Sequence, residues 1–334
     1  MVDLSQLNPR QREAAKYIDG PLLVLAGAGS GKTSVITRKI AYLIDACGIK
    51  SHHIAAVTFT NKAAKEMKER VMQLTGRGGA RGLTVSTFHN LGLGIIRQEL
   101  STAGYKSGFS ILDQDDCKGI IRDVMHREHG DDGDMLDMVQ NEISNLKNDL
   151  ITPEQAINKA ASPQEVLVAQ TYSVYQRMLK AYNAVDFDDL IMVPTILFRD
   201  NPEVLTRWQK KIRYLLVDEY QDTNTSQYEL VKLLVGHRNG LTVVGDDDQS
   251  IYAWRGARPE NLVQLGKDFP TLKIVKLEQN YRSTGLILNA ANHVIDNNPR
   301  TRRICRWSNR SRAAGSHRWG PKAVATDQFL PTVQ

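Results

Sequence analysis

The stretch PLLVLAGAGSGKTSVITRKI, residues 21–40, decides the fold. Its first six residues, PLLVLA, are an apolar run that ends in glycines. Val35, Ile36, Ile40, Leu43 and Ile44 then recur at helical spacing, which predicts a helix over 32–46. Between the two lies AGAGSGKT at 26–33. It follows the pattern G-x-x-x-x-G-K-[ST], with Ala26 in the first place. Gly27, Gly29 and Gly31 keep the backbone open, and Ala28 and Ser30 are small. The N–H groups of such a loop, backed by a helix N-terminus, hold phosphates. Lys32 is placed to reach the β- and γ-phosphates, and Thr33 to offer its hydroxyl to Mg²⁺. ATP and Mg²⁺ are therefore the expected cofactors. A bare glycine-rich turn with an incidental Lys-Thr would not sit between a strand and a helix in this way.

Outward from the loop, IAAVTF at 54–59 reads as a strand and 62–74 as a helix. A βαβα start implies a parallel sheet. Another strand-like run, LTVSTFH, follows a glycine-rich stretch, Gly76 to Gly82. From about 90 to 210 the pattern turns helical and acidic, and β-branched runs disappear. Strand signatures return at YLLVDE (214–219), LTVVGD (241–246) and LKIVKL (272–277). The expected architecture is an α/β domain with a parallel sheet, interrupted by a helical insertion.

The returning strands carry polar ends. Asp218 and Glu219 close YLLVDE, and ligands of open α/β sheets sit at the carboxyl ends of strands. Asp218 suits Mg²⁺ beside Thr33. Glu219 suits orientation and deprotonation of an attacking water. A lone Asp-Glu pair is commonly just solvated; its company with the loop gives it this role. In VVGDDDQSIYAWRGA (243–257), Gln249 is placed to contact the γ-phosphate or the lytic water. Tyr252, Trp254 and Arg255 follow, an alternation that suits stacking on unpaired bases and pairing with phosphates. In LEQNYRST (277–284), Arg282 is a candidate arginine finger and Tyr281 a candidate adenine platform.

Composition narrows the class. The 334 residues are 41% hydrophobic and 24% charged, enough apolar residue to build a core. The formal charge is +6, but residues 301–334 hold seven basic residues and one acid, which accounts for all of it. The first 300 residues are neutral, so DNA binding there must rest on local motifs. No apolar run approaches the ~18 residues that span a bilayer, and the start lacks a signal-peptide core. A soluble, cytoplasmic protein without a membrane partner is expected. Cys47, Cys117 and Cys305 are far apart and form neither a CxxC pair nor a Cys/His cluster.

Taken in order, these segments resemble superfamily 1 helicases of the UvrD/Rep/PcrA family, with wording nearest the Rep branch. Gln11 in LNPRQREA looks like the adenine-reading Q motif, and AGAGSGKT resembles motif I. VTFTNKAAKEMKERV (57–71) is similar to motif Ia and STFHNLG (86–92) to motif Ib. DFDDL (186–190) matches a further DNA-contact motif. VDEYQDTN resembles motif II, GDDDQSIYAWRGA motif III and LEQNYRST motif IV. The resemblance covers residues 4 to about 299. It implies two RecA-like domains, each with a helical insertion, and ATP in the cleft between them. The first would comprise 1–85 and 190–275, with its insertion at 86–189; 276–299 would begin the second.

The resemblance also implies ATP-dependent 3′→5′ movement on single-stranded DNA, strand unwinding at single-strand/duplex junctions in replication, and contact with replisome proteins. A repair role of the UvrD type uses the same motifs. Gln11 and Tyr281 would read or stack adenine. Lys32, Thr33, Asp218, Glu219, Gln249 and Arg282 would form the hydrolysis site, with Arg38 supporting the nucleotide. Phe59, Asn61, His89, Phe187, Tyr252, Trp254 and Arg255 would contact the single strand.

After Pro299 the text becomes RTRRICRWSNRSRAAGSHRWG and matches nothing in the family. Residues 300–334 are expected to be a disordered basic tail, read either as out-of-frame translation after an indel or as a natural DNA-binding extension. Motifs V and VI are not found. On that ground 276–299 is expected to lack a domain to pack on, leaving Tyr281 and Arg282 poorly placed, and unwinding is expected to be impaired. An ATP- and DNA-binding fragment without motor activity is the alternative.

Overall fold

The computed structural model describes residues 2–129 and 133–295. The calls on residues 296–334, including the basic tail and Cys305, lie outside the described residues.

Eight short strands are present: β1 (Leu22–Ala26), β2 (Ile54–Thr58), β3 (Thr84–Thr87), β4 (Ser110–Ile111), β5 (Ala184–Val185), β6 (Tyr214–Val217), β7 (Leu241–Gly245) and β8 (Lys273–Leu277). Six of them form one sheet in the order β3-β2-β6-β7-β1-β8. Every pairing in it is parallel. β1, β2, β6 and β7 are buried along their whole length because both faces are covered, whereas the edge strands β3 and β8 are partly exposed and carry polar residues. Alternate residues serve opposite faces. Leu23, Leu25, Ala55, Val57, Leu215, Val217, Leu241 and Val243 join one core. Leu22, Val24, Ala26, Ile54, Ala56, Leu216, Val244, Val275 and Leu277 join the other.

The sheet is discontinuous in sequence, as expected: β3 and β6 are separated by more than a hundred residues, largely helical. Within the 86–189 that the resemblance implies for the insertion, the first helix packs on the sheet and the later helices pack on one another. Helix Phe88–Gln98 carries Phe88, Leu91 and Ile95 into the sheet's core. Residues with a core of their own run from Cys117 to Ala184 and include Ile121, Val139, Ile143, Tyr172 and Tyr175. Composition marks where strands stop; it does not say which helices cover the sheet.

The insertion is fastened to the sheet domain just beyond β6. Asn224 donates to Asn148 Oδ1 at 2.7 Å, Ser226 Oγ to the Lys147 carbonyl at 3.0 Å, and Arg258 to both oxygens of Asp149 at 2.6 and 2.7 Å. No helix among the described residues is long and apolar enough to cross a membrane.

Candidate nucleotide and DNA site

A parallel sheet puts all its carboxyl ends on one edge, and this is where the motifs meet. β1 runs into the glycine loop, β2 into Phe59 and Asn61, and β3 into His89. β6 runs into Asp218 and Glu219, β7 into Asp246 and Gln249, and β8 into Asn280, Tyr281 and Arg282.

The loop is shaped from within and clamped from two sides. Ser30, fully buried, donates from Oγ to the Gly27 carbonyl at 2.8 Å. Gly31 caps helix Lys32–Asp45 in the left-handed conformation. On one side Gln11, in a capping box with Asn8, donates to the Ser30 carbonyl at 2.8 Å. Its Oε1 accepts from Asn8 N–H at 3.0 Å. A side-chain amide has two donors and two lone pairs, so these two bonds use one of each. Arg38 reaches Ser34 Oγ at 2.5 Å and Gln6 Oε1 at 2.9 Å.

On the other side the 280–283 turn lies on the loop. Asn280 donates to the Ala28 carbonyl at 2.6 Å, and Tyr281 N–H to the Gly29 carbonyl at 2.9 Å. Gly29 has φ +75°, and a Cβ there would stand 2.7 Å from Arg282 Cβ. Only glycine allows that approach. Asn8 Nδ2 donates to the Tyr281 hydroxyl at 2.8 Å, joining both clamps. This corrects the expectation that Tyr281 and Arg282 lack support. β8 pairs with β1, so the turn after it is docked on the loop by the sheet itself. Both side chains remain exposed.

Charge at the site is lopsided. Lys32 Nζ pairs with Glu219 Oε2 at 2.7 Å. Burial, then the Glu219 charge, pushes the Asp218 carboxyl up to about 7, while Lys32 opposes the shift. Asp222 is pushed up to about 6 by the same two causes. Its Oδ1 is buried without a hydrogen-bond partner. Glu219 itself sits at φ 49°, ψ 46°. A left-handed non-glycine residue costs on the order of 1–3 kcal/mol and persists where the surroundings over-determine it.

Three carboxylates around one ammonium are a fit for a divalent cation that arrives with phosphates. Among the described residues no group of three His, Cys, Asp or Glu side chains forms a ready metal cage. Mg²⁺ uses one or two carboxylates and keeps water and phosphate ligands. Sequence reading did not single out Gln221, Asp222, Asp246 or Asn280. Their signal was only adjacency to residues already marked.

Along the same edge, Phe59 and Tyr252 are near-parallel, with centroids 6.1 Å apart and a 12° interplanar angle. Trp254, 71% exposed, continues the row at 6.4 Å from Tyr252. Asn61 Oδ1 accepts from Asn90 at 2.9 Å, tying the β2 and β3 ends. His89, whose imidazole is held below its ordinary value by burial, meets Phe187 edge-on at 6.1 Å. Arg255 lies in the 3₁₀ turn Ala253–Arg255. The aromatic candidates thus form two groups, one at the β2/β7 ends and one where β3 meets the insertion.

Residues 7–270 match the UvrD/REP helicase N-terminal domain family. The chain belongs to that family. It is 60% identical over 294 residues to the ATP-dependent DNA helicase Rep of Escherichia coli (strain K12), covering 88% of this chain and 44% of that relative. It is 50% identical over 296 residues to the ATP-dependent DNA helicase PcrA of Staphylococcus aureus (strain Mu50 / ATCC 700699), covering 88% and 40%. The chain spans less than half the length of these curated relatives. As in other P-loop proteins, the nucleotide loop of this UvrD/REP family chain leads from a strand directly into a helix.

Proposed function

We propose that the chain is the ATP- and single-strand-binding part of a Rep-type DNA helicase, a motor that couples ATP hydrolysis to 3′→5′ movement on single-stranded DNA and to unwinding in replication. One observation carries this reading. A single sheet edge presents the glycine loop, the Asp218–Glu219 pair and an aromatic row that ends in the exposed Trp254 within one connected set of strand ends.

The roles follow from position. Loop N–H groups from Gly27 to Thr33 and the Lys32 ammonium take the phosphates. Gln11 and Tyr281 would read or stack the adenine, Arg38 would support the nucleotide, and Arg282 would act as the arginine finger. Thr33 and Asp218 would hold Mg²⁺, which when bound offsets phosphate charge. Glu219 takes the proton of the attacking water, and Gln249 senses the terminal phosphate. Phe59, Tyr252, Trp254 and Phe187 stack on bases, with Asn61, His89 and Arg255 beside the strand. The domain limits 1–85, 86–189, 190–275 and 276–299 are part of this proposal, as are a cytoplasmic location, single-strand/duplex junctions and replisome partners.

The test is ATP hydrolysis with and without oligo-dT, in the unaltered chain and in Lys32→Ala. Stimulation by DNA that disappears in the variant is expected. Equal hydrolysis in the two proteins would refute the assignment of the loop. Single-strand binding without any hydrolysis would favour a binding module that works without motor activity.

A further inference from the structure

Gln221 stands between the two halves of the site and belongs to neither. Its amide is used at both ends. Nε2 donates to Glu219 Oε2 at 2.9 Å and lies 3.5 Å from Asp222 Oδ2. Oε1 accepts from Asp246 N–H at 2.9 Å. The side chain is 2% exposed, and its orientation is fixed because only the oxygen can accept from Asp246. Gly245 makes room: a Cβ there would stand 2.9 Å from Gln221 Oε1.

What lies at each end gives the bridge a purpose. Glu219 Oε2 also holds Lys32, and a nucleotide phosphate competes for that ammonium. Asp246 organises the turn after β7: it accepts from Gln249 Nε2 at 2.5 Å and from Asp248 N–H at 3.2 Å. That turn leads directly to Tyr252 and Trp254. Lys32 therefore has two alternative partners, and the carboxylate it leaves or keeps is tied through one amide to the aromatic segment. A defined two-partner element that both ligands bias is the physical requirement for coupling.

We propose that Gln221 is a positioning residue that couples the nucleotide site to the DNA-facing segment, by holding Glu219 and the β7 terminus with opposite ends of one amide. The inference rests on the nucleotide and single-strand reading above.

The experiment measures oligo-dT affinity of the full chain with and without a non-hydrolysable ATP analogue and Mg²⁺, and the analogue's own affinity. In the unaltered chain the analogue changes the DNA dissociation constant by about 5-fold or more, the low end of ordinary allosteric coupling. In Gln221→Ala that ratio falls to within about 2-fold of one, while each ligand alone binds within about 3-fold of the unaltered chain. A merely structural role would instead weaken both ligands and leave the ratio standing. Gln221→Met guards against misfolding of the alanine variant. It keeps the side chain's length and adds no charge, but loses both the donor to Glu219 and the acceptor for Asp246, and it should lose coupling too. Coupling that persists in both variants, or a ratio of one in the unaltered chain, overturns the proposal. No analogue binding in the unaltered chain would instead sink the functional reading on which it stands.

Discussion

Two places in this molecule set one lysine against three acids, and they resolve the imbalance in opposite ways. At the sheet edge Lys32 meets Asp218, Glu219 and Asp222. In the insertion Lys147 meets Asp186 at 2.6 Å and Asp189 at 2.9 Å, with Asp188 close by. The Lys147 side chain is wholly buried, and the Tyr175 hydroxyl, Gln176 and the Asp189 N–H complete the carboxylates' bonds. Burial alone would push the Lys147 ammonium down; Asp186 and Asp189 outweigh it and hold it up. Lys32 has one carboxylate partner, and Glu219 is one-third exposed. A closed, saturated cluster fixes a fold. An open pair with spare carboxylates is left able to exchange partners, which is what a phosphate and a divalent cation require.

The comparison breaks most visibly at Lys147. Lys147→Met would leave two buried carboxylates without their cation, and removing one partner of a buried pair costs about 3–5 kcal/mol. Chemical denaturation should show that loss in the insertion. A loss below about 1 kcal/mol, the surface-pair range, would show the cluster to be no more structural than the cleft pair. Lys32→Ala should do the reverse. Its stability change is expected to stay within about 1 kcal/mol, because the pair is partly solvated. ATP turnover should fall by roughly 10²–10³-fold, the usual cost of removing one positioned electrostatic contact. Turnover that survives the substitution would contradict the partner-exchange view of the cleft.

The two lysines also differ in how far the sequence exposed them. Lys32 was legible because its loop has a fixed spacing between a strand and a helix, and all the motif residues fell at strand ends, as a parallel sheet demands. Lys147 was not. It lies in the last turn of its helix, in NEISNLKNDL, with nothing around it to distinguish it from a solvated lysine. Its partners are about forty residues away, and only the packing of helix Gly133–Asn148 on the 186–189 turn brings them together. Gln221 escaped notice for a related reason: its meaning depends on β6 and β7 being neighbours, which strand-like runs do not reveal. The docking of Tyr281 is not legible in the sequence because 276–299 reads as the start of a second domain, whereas the turn that carries Tyr281 follows β8, which pairs with β1 at the sheet's edge.

Under the proposed function the two regions each offer an aromatic side chain to single-stranded DNA, which sharpens the contrast. Trp254 follows the turn that Asp246 organises, and Phe187 stands between two members of the Lys147 cluster. Stacking on a base contributes about 1–3 kcal/mol by alanine substitution. Trp254→Ala and Phe187→Ala should each weaken oligo-dT binding within that range. If the cleft is the exchangeable site, an ATP analogue should alter the penalty at Trp254 and leave the penalty at Phe187 unchanged. Equal nucleotide dependence at both would remove the distinction between a fixed region and a responsive one.

The smallest effect tests how the insertion manages its third acid. Burial, then the charge of Asp186, pushes the Asp188 carboxyl up to about 7, against opposition from Ser144 and Lys147. Asp189 adds to the rise. A carboxyl whose folded value stands above its unfolded one binds its proton more tightly in the fold. Its contribution to stability is complete below the unfolded value of about 4 and is lost as pH rises through about 7. Asp188→Asn removes that dependence and keeps an oxygen for Ser144 Oγ, which donates to Asp188 at 2.7 Å. The variant should match or fall slightly below the unaltered chain at pH 5 and exceed it at pH 8, by roughly 0.5 kcal/mol, the low end of single-substitution effects. Parallel stability curves from pH 5 to 8 would mean that Asp188 keeps its charge throughout. The insertion would then carry the same uncompensated carboxylate as the cleft, and burial of Lys147 alone would have to account for the difference between them.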